Sequence, residues 1–158
     1  MNKLVFVVTL VSVLSAHSGA QETHWTLDKA HSQVKFTVQH LVISELTGRF
    51  KEFDATFKTI GDDIGTASVE AVIKTASIDT DNERRDTHLR SDDFLNVEKF
   101  PEMKFKSTSV ENAGNNTYRI KGDLTIRDIT RPVVLDTKYS GFVKTPWGGE
   151  VGAFKASV

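Results

Sequence analysis

The chain has 158 residues, no cysteine, 20 Lys and Arg against 21 Asp and Glu, and 10 Phe. Without cysteine there is no disulfide framework, no thiolate metal site, no Cys nucleophile and no lipid attachment through a thiol. The near-balanced charge leaves no electrostatic case for nucleic acid or an anionic membrane surface as a partner.

The first segment reads as a leader. Lys3 supplies a positive start, Leu4 to Leu14 is a nearly unbroken apolar run, and Ser18-Gly19-Ala20 offers small residues for cleavage before Gln21. That pattern is a secretory signal peptide over residues 1–20. The run is short for a bilayer span and no stop-transfer pattern follows, which disfavours a membrane anchor. The expected mature chain, residues 21–158, is a single domain placed in the periplasm or outside the cell, with no transmembrane segment.

Period-two alternation dominates from there on. Val34, Phe36 and Val38 alternate with Lys35, Thr37 and Gln39, giving a half-buried strand. Phe50 opens the next, and Phe53, Ala55 and Phe57 follow at opposite parity, which predicts a bulge or bend near Glu52. Gly61-Asp62-Asp63-Ile64-Gly65 is a turn cluster, after which Val69, Ala71 and Ile73 alternate with polar residues.

A charged insert then interrupts the strands, around residues 81–95. Thr80 and Glu83 fit a capping box, Arg84 and His88 are spaced i,i+4, and Phe94 and Leu95 are expected to plug the exit into the core. Pro101 ends the element. Met103 and Phe105 resume the alternation, residues 112–116 make a hairpin connection, and Tyr118, Ile120, Leu124 and Ile126 continue it. Asp128 to Pro132 is read as a turn, Val133, Leu135 and Tyr139 as a strand, and Pro146 to Gly149 as a last turn. Gly122 inside a strand suggests a bend or close backbone approach. Several strands, short turns and one helix read as an all-β fold, an antiparallel barrel or sandwich.

The chemistry-bearing residues are few. His31 and His40 are nine apart and would face opposite sides of one strand, and no HxH or HExxH pattern occurs, so no metal and no cofactor is expected. Asp86 and His88 are the one acid–base pair in reach of a small hydrolase, yet on a helix they diverge by about 200°. Arg84, Arg85, His88 and Arg90 could meet a phosphate-like head group, but Asp86, Asp92 and Asp93 interleave with them. An intramolecular network bracing the helix is favoured, so Arg85, Asp86 and His88 are held as head-group contacts or structural brace.

The apolar inward set is expected to be Phe36, Val38, Phe50, Phe57, Val69, Ile73, Met103, Phe105, Leu124, Ile126 and Leu135. It is either packed core or the lining of a lipocalin-like ligand cavity. At about 0.8 kcal/mol per buried CH₂, one five-carbon isoprenoid unit would contribute roughly 3–4 kcal/mol before entropy costs. A carrier therefore needs no catalytic residue.

Several blocks resemble the YceI-like family of secreted, lipocalin-like polyisoprenoid-binding proteins. They are Trp25, Leu27-Asp28, His31-Ser32, Phe36, Val38 and His40; then Gly48, Phe50 and Phe53; then Ser77-Ile78-Asp79-Thr80. The most specific is Arg85-Asp86-Thr87-His88-Leu89-Arg90-Ser91-Asp92-Asp93-Phe94 with the downstream Phe100-Pro101 and Phe105, followed by Gly122 to Ile126 and Thr130 to Val133. The resemblance covers about residues 24–154. It implies a lipocalin-like antiparallel β-barrel around an apolar pocket, an isoprenoid-type or similar amphiphilic lipid as ligand, a periplasmic carrier role and no catalysis. Members usually continue past the position of Phe154 with further strands, so the resemblance also implies a barrel short of its last strands. Two other readings stay open: a stress-related periplasmic structural or interaction protein with a packed barrel, and the His88/Asp86 hydrolase. A homodimer is the oligomer kept in view.

Overall fold

The computed structural model describes residues 21–40, 44–146 and 148–158. The leader expected at residues 1–20 lies outside them. The strands are β1 (Glu22–Thr26), β2 (Val34–His40), β3 (Ser44–Phe50), β4 (Phe53–Ile60), β5 (Asp63–Lys74), β6 (Ile78–Asp79), β7 (Glu102–Gly114), β8 (Thr117–Ile126), β9 (Ile129–Lys144) and β10 (Glu150–Ser157), with one helix, α1 (Glu83–Arg90). Seven strands form an antiparallel sheet in the order β1-β4-β5-β7-β8-β9-β10, and β2-β3-β6 form a second, smaller one.

The two-residue alternation explains the large sheet. Register places Trp25 opposite Phe57 and Phe57 opposite Val69, then Ala71 opposite Phe105 and Phe105 opposite Leu124, all on one face. The other face carries cross-strand ion pairs, Glu70–Lys106 at 2.8 Å and Lys74–Glu102 at 2.6 Å among them. Trp25 and Phe142 belong to strands at opposite margins of the sheet, yet their rings stack at 4.5 Å. The sheet must therefore curl, with the apolar face inward, into an antiparallel half-barrel.

Three local expectations need correction. The parity break near Glu52 is not a bulge within a strand: β3 ends at Phe50, the chain bends at Lys51 and Glu52, and β4 enters the other sheet. Ser77 holds the crossing, its Oγ accepting from the Glu52 N–H at 3.0 Å and its carbonyl from the Lys51 N–H at 3.1 Å. The turn expected over Asp128 to Pro132 is only two residues, Arg127 and Asp128; Pro132 sits within β9 opposite Asp123. It is tolerated because β10 pairs only from Asp136 onward, so the donor Pro132 lacks faces no partner strand. The hairpin connection expected over residues 112–116 is also shorter: β7 runs to Gly114, paired with Thr117, and only Asn115 and Asn116 turn, both at positive φ, the geometry that type I′ turns require.

The helix differs most. Asp81 turns the chain at φ 58°, so the N-cap falls on Asn82, whose side chain accepts from the Arg85 N–H at 3.0 Å. Thr80 and Glu83 form no capping box, since the Thr80 hydroxyl donates to Asp86 instead. The helix also stops at Arg90; Ser91 leaves in an extended conformation and residues 91–100 run as turns. That exit separates the two expected anchors. Leu95 packs on the core, but Phe94 is 48% exposed and lies edge-on to the His88 ring at 4.9 Å.

Eight residues are too few for a helix to stand alone. Polar staples hold α1. Arg90 donates to the carbonyls of Ala76 and Ile78 at 3.0 and 2.9 Å, and Arg85 to the Thr80 hydroxyl and carbonyl at 2.7 and 2.6 Å. Beneath them lies the packed core, Phe50, Ile78 and Met103, with Val34, Phe36, Ile73, Leu89 and Leu95 around it.

Candidate functional site

The concave face of the half-barrel has a filled end and a half-buried middle. At the helix end, Phe36, Phe50, Ile73 and Met103 of the expected lining are core residues, with Phe36 and Phe50 in ring contact at 5.6 Å. Further along, Phe57, Val69, Leu124 and Leu135 are only half-buried, and Phe105, buried, lies among them. Ile120 is buried opposite Leu135. These side chains form an apolar trough whose walls keep accessible surface.

Val38 and Ile126 do not join it. They are 48% and 40% exposed. Val38 sits on the distal part of the β2–β3 hairpin, which β6 supports only at Arg49 and Phe50. Ile126 is the last residue of β8, opposite the exposed Ile129.

The far end of the trough is aromatic. Phe142 stacks on Trp25 with 5° between the planes, and Tyr139 meets Phe142 edge-on at 5.1 Å. Tyr139 also stacks on Phe154 at 4.9 Å, Phe154 touches Phe57 at 5.0 Å, and Phe57 pairs with Trp25 across the ladder. Five rings thus close a circuit joining β1 and β4 to β9 and β10. Thr59 anchors it: its hydroxyl accepts from the Trp25 indole N–H at 3.3 Å and donates to the Gly61 carbonyl at 2.7 Å. Burial among these rings pushes the Tyr139 phenol up from its ordinary pKa.

Four of these rings, Trp25, Tyr139, Phe142 and Phe154, were absent from the expected lining. A parity count cannot find Phe142, because the register shifts between Ala153 and Phe154 and puts Phe142 and Tyr139 on the same face. Gly141 within the strand pattern was the available signal.

The charged cluster on α1 lies away from the rings, beyond the packed core. Asp86 is 3% exposed and accepts from the Thr80 N–H at 3.0 Å and the Thr80 hydroxyl at 2.5 Å. His88 is exposed and pairs with Asp93 at 3.2 Å. The two point to different partners. Arg85 and His88 share a shallow, open depression of about 400 Å³ with Asn82 and Arg84. A second open groove, about 310 Å³, is lined by Lys29, Lys51, Phe53, Asp54 and Lys74 among others. Neither contains a residue of the aromatic circuit. His31, considered for a metal, bonds Asp28 at 2.7 Å in the turn before β2. Among the described residues no group of three His, Asp or Glu side chains is placed to hold a metal ion.

The model of the YceI-like domain matches residues 25–158. The chain belongs to the YceI-like family. Protein YceI of Salmonella newport is 41% identical over 158 residues, covering 99% of this chain and 82% of that protein. The crystal structure of a Campylobacter jejuni YceI protein matches with a TM-score of 0.69 and 36% identity, over 84% of this chain and 77% of that one. Burkholderia cenocepacia BcnA matches with a TM-score of 0.68 and 25% identity, over 72% and 71%. A polyisoprenoid-binding domain from Saccharophagus degradans shares the fold, with a TM-score of 0.55 and 13% identity over 75% and 68%. The lipocalin-like β architecture expected from the sequence is the architecture of this family.

Proposed function

We propose that the protein is a non-enzymatic carrier that holds a polyisoprenoid or similar amphiphilic lipid along the concave face, between the core under α1 and the five-ring circuit. The observation that carries this reading is the half-buried trough of Phe57, Val69, Leu124 and Leu135, with Phe105 among them. A folded domain of this size usually fills such a face. The polyisoprenoid-binding domain of Saccharophagus degradans, alike in fold only, is consistent with such a ligand.

The energetics suffice. Three isoprenoid units would gain roughly 10 kcal/mol gross from burial. Subtracting about 4 kcal/mol, the low end of the cost of lost freedom, leaves about 6 kcal/mol, a Kd of roughly tens of micromolar. The leader at residues 1–20 would deliver the protein to the periplasm, where such a carrier would exchange lipid with a membrane. Arg85 and Asp86 serve as a brace in this reading, while His88 pairs with Asp93 at the surface. The packed-barrel alternative draws on one observation, the ring-to-ring contact that fills the aromatic end.

Native mass spectrometry and solvent extraction of protein purified from a periplasmic fraction decide between them. A polyprenyl lipid should be recovered at one per chain. Recovery of none, with no uptake of added all-trans-farnesol, would leave only the packed barrel.

A further inference from the structure

One side chain on the inward face is out of keeping with an apolar trough. Ala55 pairs with Ala71, Ala71 with Phe105, Phe105 with Leu124 and Leu124 with Arg131, a single inward row across five strands. Over the paired segments 53–57, 69–73, 103–105, 120–126 and 129–135, Arg131 is the only charged residue at an inward position. Asp123, next to Leu124 in β8, faces the other way, in a row with Lys106 and Pro132. The neighbouring arginine is differently employed. Arg127 donates to the carbonyls of Asp92 and Phe94 at 3.3 and 3.0 Å and stands over the Phe100 ring at 5.2 Å, which ties the β8–β9 turn to the segment after α1.

The place of this row in the trough gives Arg131 its meaning. On one side lies the row of Phe53, Ile73 and Met103, where Ile73 and Met103 belong to the core under α1. On the other side the trough continues past Gly122, whose missing Cβ leaves room for the Phe105 ring. Arg131 therefore stands where the trough meets the packed core, and a lipid lying along the trough must end there. In the open trough water solvates the exposed guanidinium. A lipid laid against it removes that water, and a desolvated cation is strongly unfavourable unless an anion meets it. An alkyl end would leave the charge uncompensated. A phosphate would take it through two parallel hydrogen bonds.

We propose that Arg131 receives the head group of the bound lipid, and that the ligand is an isoprenoid phosphate with its head at the α1 end and its chain toward the aromatic circuit. This rests on the lipid reading above, to which it adds a charge and an orientation.

Equilibrium dialysis with tritiated farnesol and farnesyl phosphate tests it. Wild type should bind farnesyl phosphate roughly tenfold or more tighter than farnesol. Arg131→Gln should bring the two affinities within about threefold of each other, and Arg131→Lys, which keeps the charge but not the planar fork, should fall between. A diazirine at the far end of the farnesyl phosphate chain should label Tyr139 and Phe57. Wild type without a preference, a preference that survives in Arg131→Gln, or label on Leu124 and Met103 instead would overturn the assignment, while bound farnesol would leave the carrier standing. Loss of both ligands in Arg131→Gln, with a lowered urea midpoint, would make Arg131 structural and likewise overturn it. Wild type binding neither ligand would overturn the carrier and the head-group assignment together.

Discussion

Asp86→Ala should destabilise the protein by about 3 kcal/mol, and the loss follows from counted bonds. The carboxylate is 3% exposed and takes the Thr80 N–H through both oxygens, at 3.0 and 3.2 Å, and the Thr80 hydroxyl at 2.5 Å. Hydrogen bonds to a charged group contribute about 1.5–3 kcal/mol each, and Thr80, itself 5% exposed, would keep a buried N–H without an acceptor. Two donors lost would cost roughly 3–6 kcal/mol, and water entering the vacated space returns part of it. For a domain of this size about 3 kcal/mol corresponds to a fall in Tm of roughly 10 °C. Urea denaturation followed by circular dichroism measures it directly. Asp86→Asn, which keeps one acceptor oxygen, should lose less. An Asp86→Ala protein within 1 kcal/mol of wild type would refute the brace.

Arg85→Ala and His88→Ala should leave farnesol affinity unchanged within about twofold, with Arg85→Ala alone lowering Tm, since only Arg85 bonds the backbone beneath the helix; a tenfold loss of affinity would restore the head-group role. Gly122→Ala should cost roughly 2–3 kcal/mol, because its Cβ would stand 2.5 Å from both the Lys106 carbonyl oxygen and the Phe105 ring; equilibrium unfolding checks this. Lys51 first and then Arg49 hold the Asp79 carboxyl far below the usual carboxylate range. A depressed carboxylate stabilises fully above its unfolded value of about 3.9 and loses that contribution as pH falls toward its folded value. Wild type should therefore lose stability from about pH 4 downward more steeply than Asp79→Asn. Parallel curves would remove Asp79 as the cause.

The sheet was legible in the sequence because alternation survives wherever a strand has one apolar face, as in Phe53-Asp54-Ala55-Thr56-Phe57. The expected lining divided for reasons that alternation does not contain. Parity says which way Met103 or Phe36 points, but not that a helix folds over that end and turns lining into core. It cannot say that Val38 outruns the support of its sheet, or that Ser140 is inserted and carries Phe142 round to Trp25. Thr80 misled for a related reason. Its spacing to Glu83 satisfies a capping box, but one residue at positive φ, Asp81, moves the helix start and gives Thr80 to Asp86.

Lipid bound on the concave face would lie within reach of named side chains, and photocrosslinking tests that placement most directly. A farnesol analogue bearing a diazirine on its chain would be bound, irradiated and mapped by peptide mass spectrometry. Lipid held in the trough predicts adducts on Phe57, Val69, Phe105, Leu124, Leu135 and Tyr139, competed away by unlabelled farnesol. Adducts confined to the outer face or to the Asn82–His88 depression, or labelling that farnesol does not compete, would contradict it.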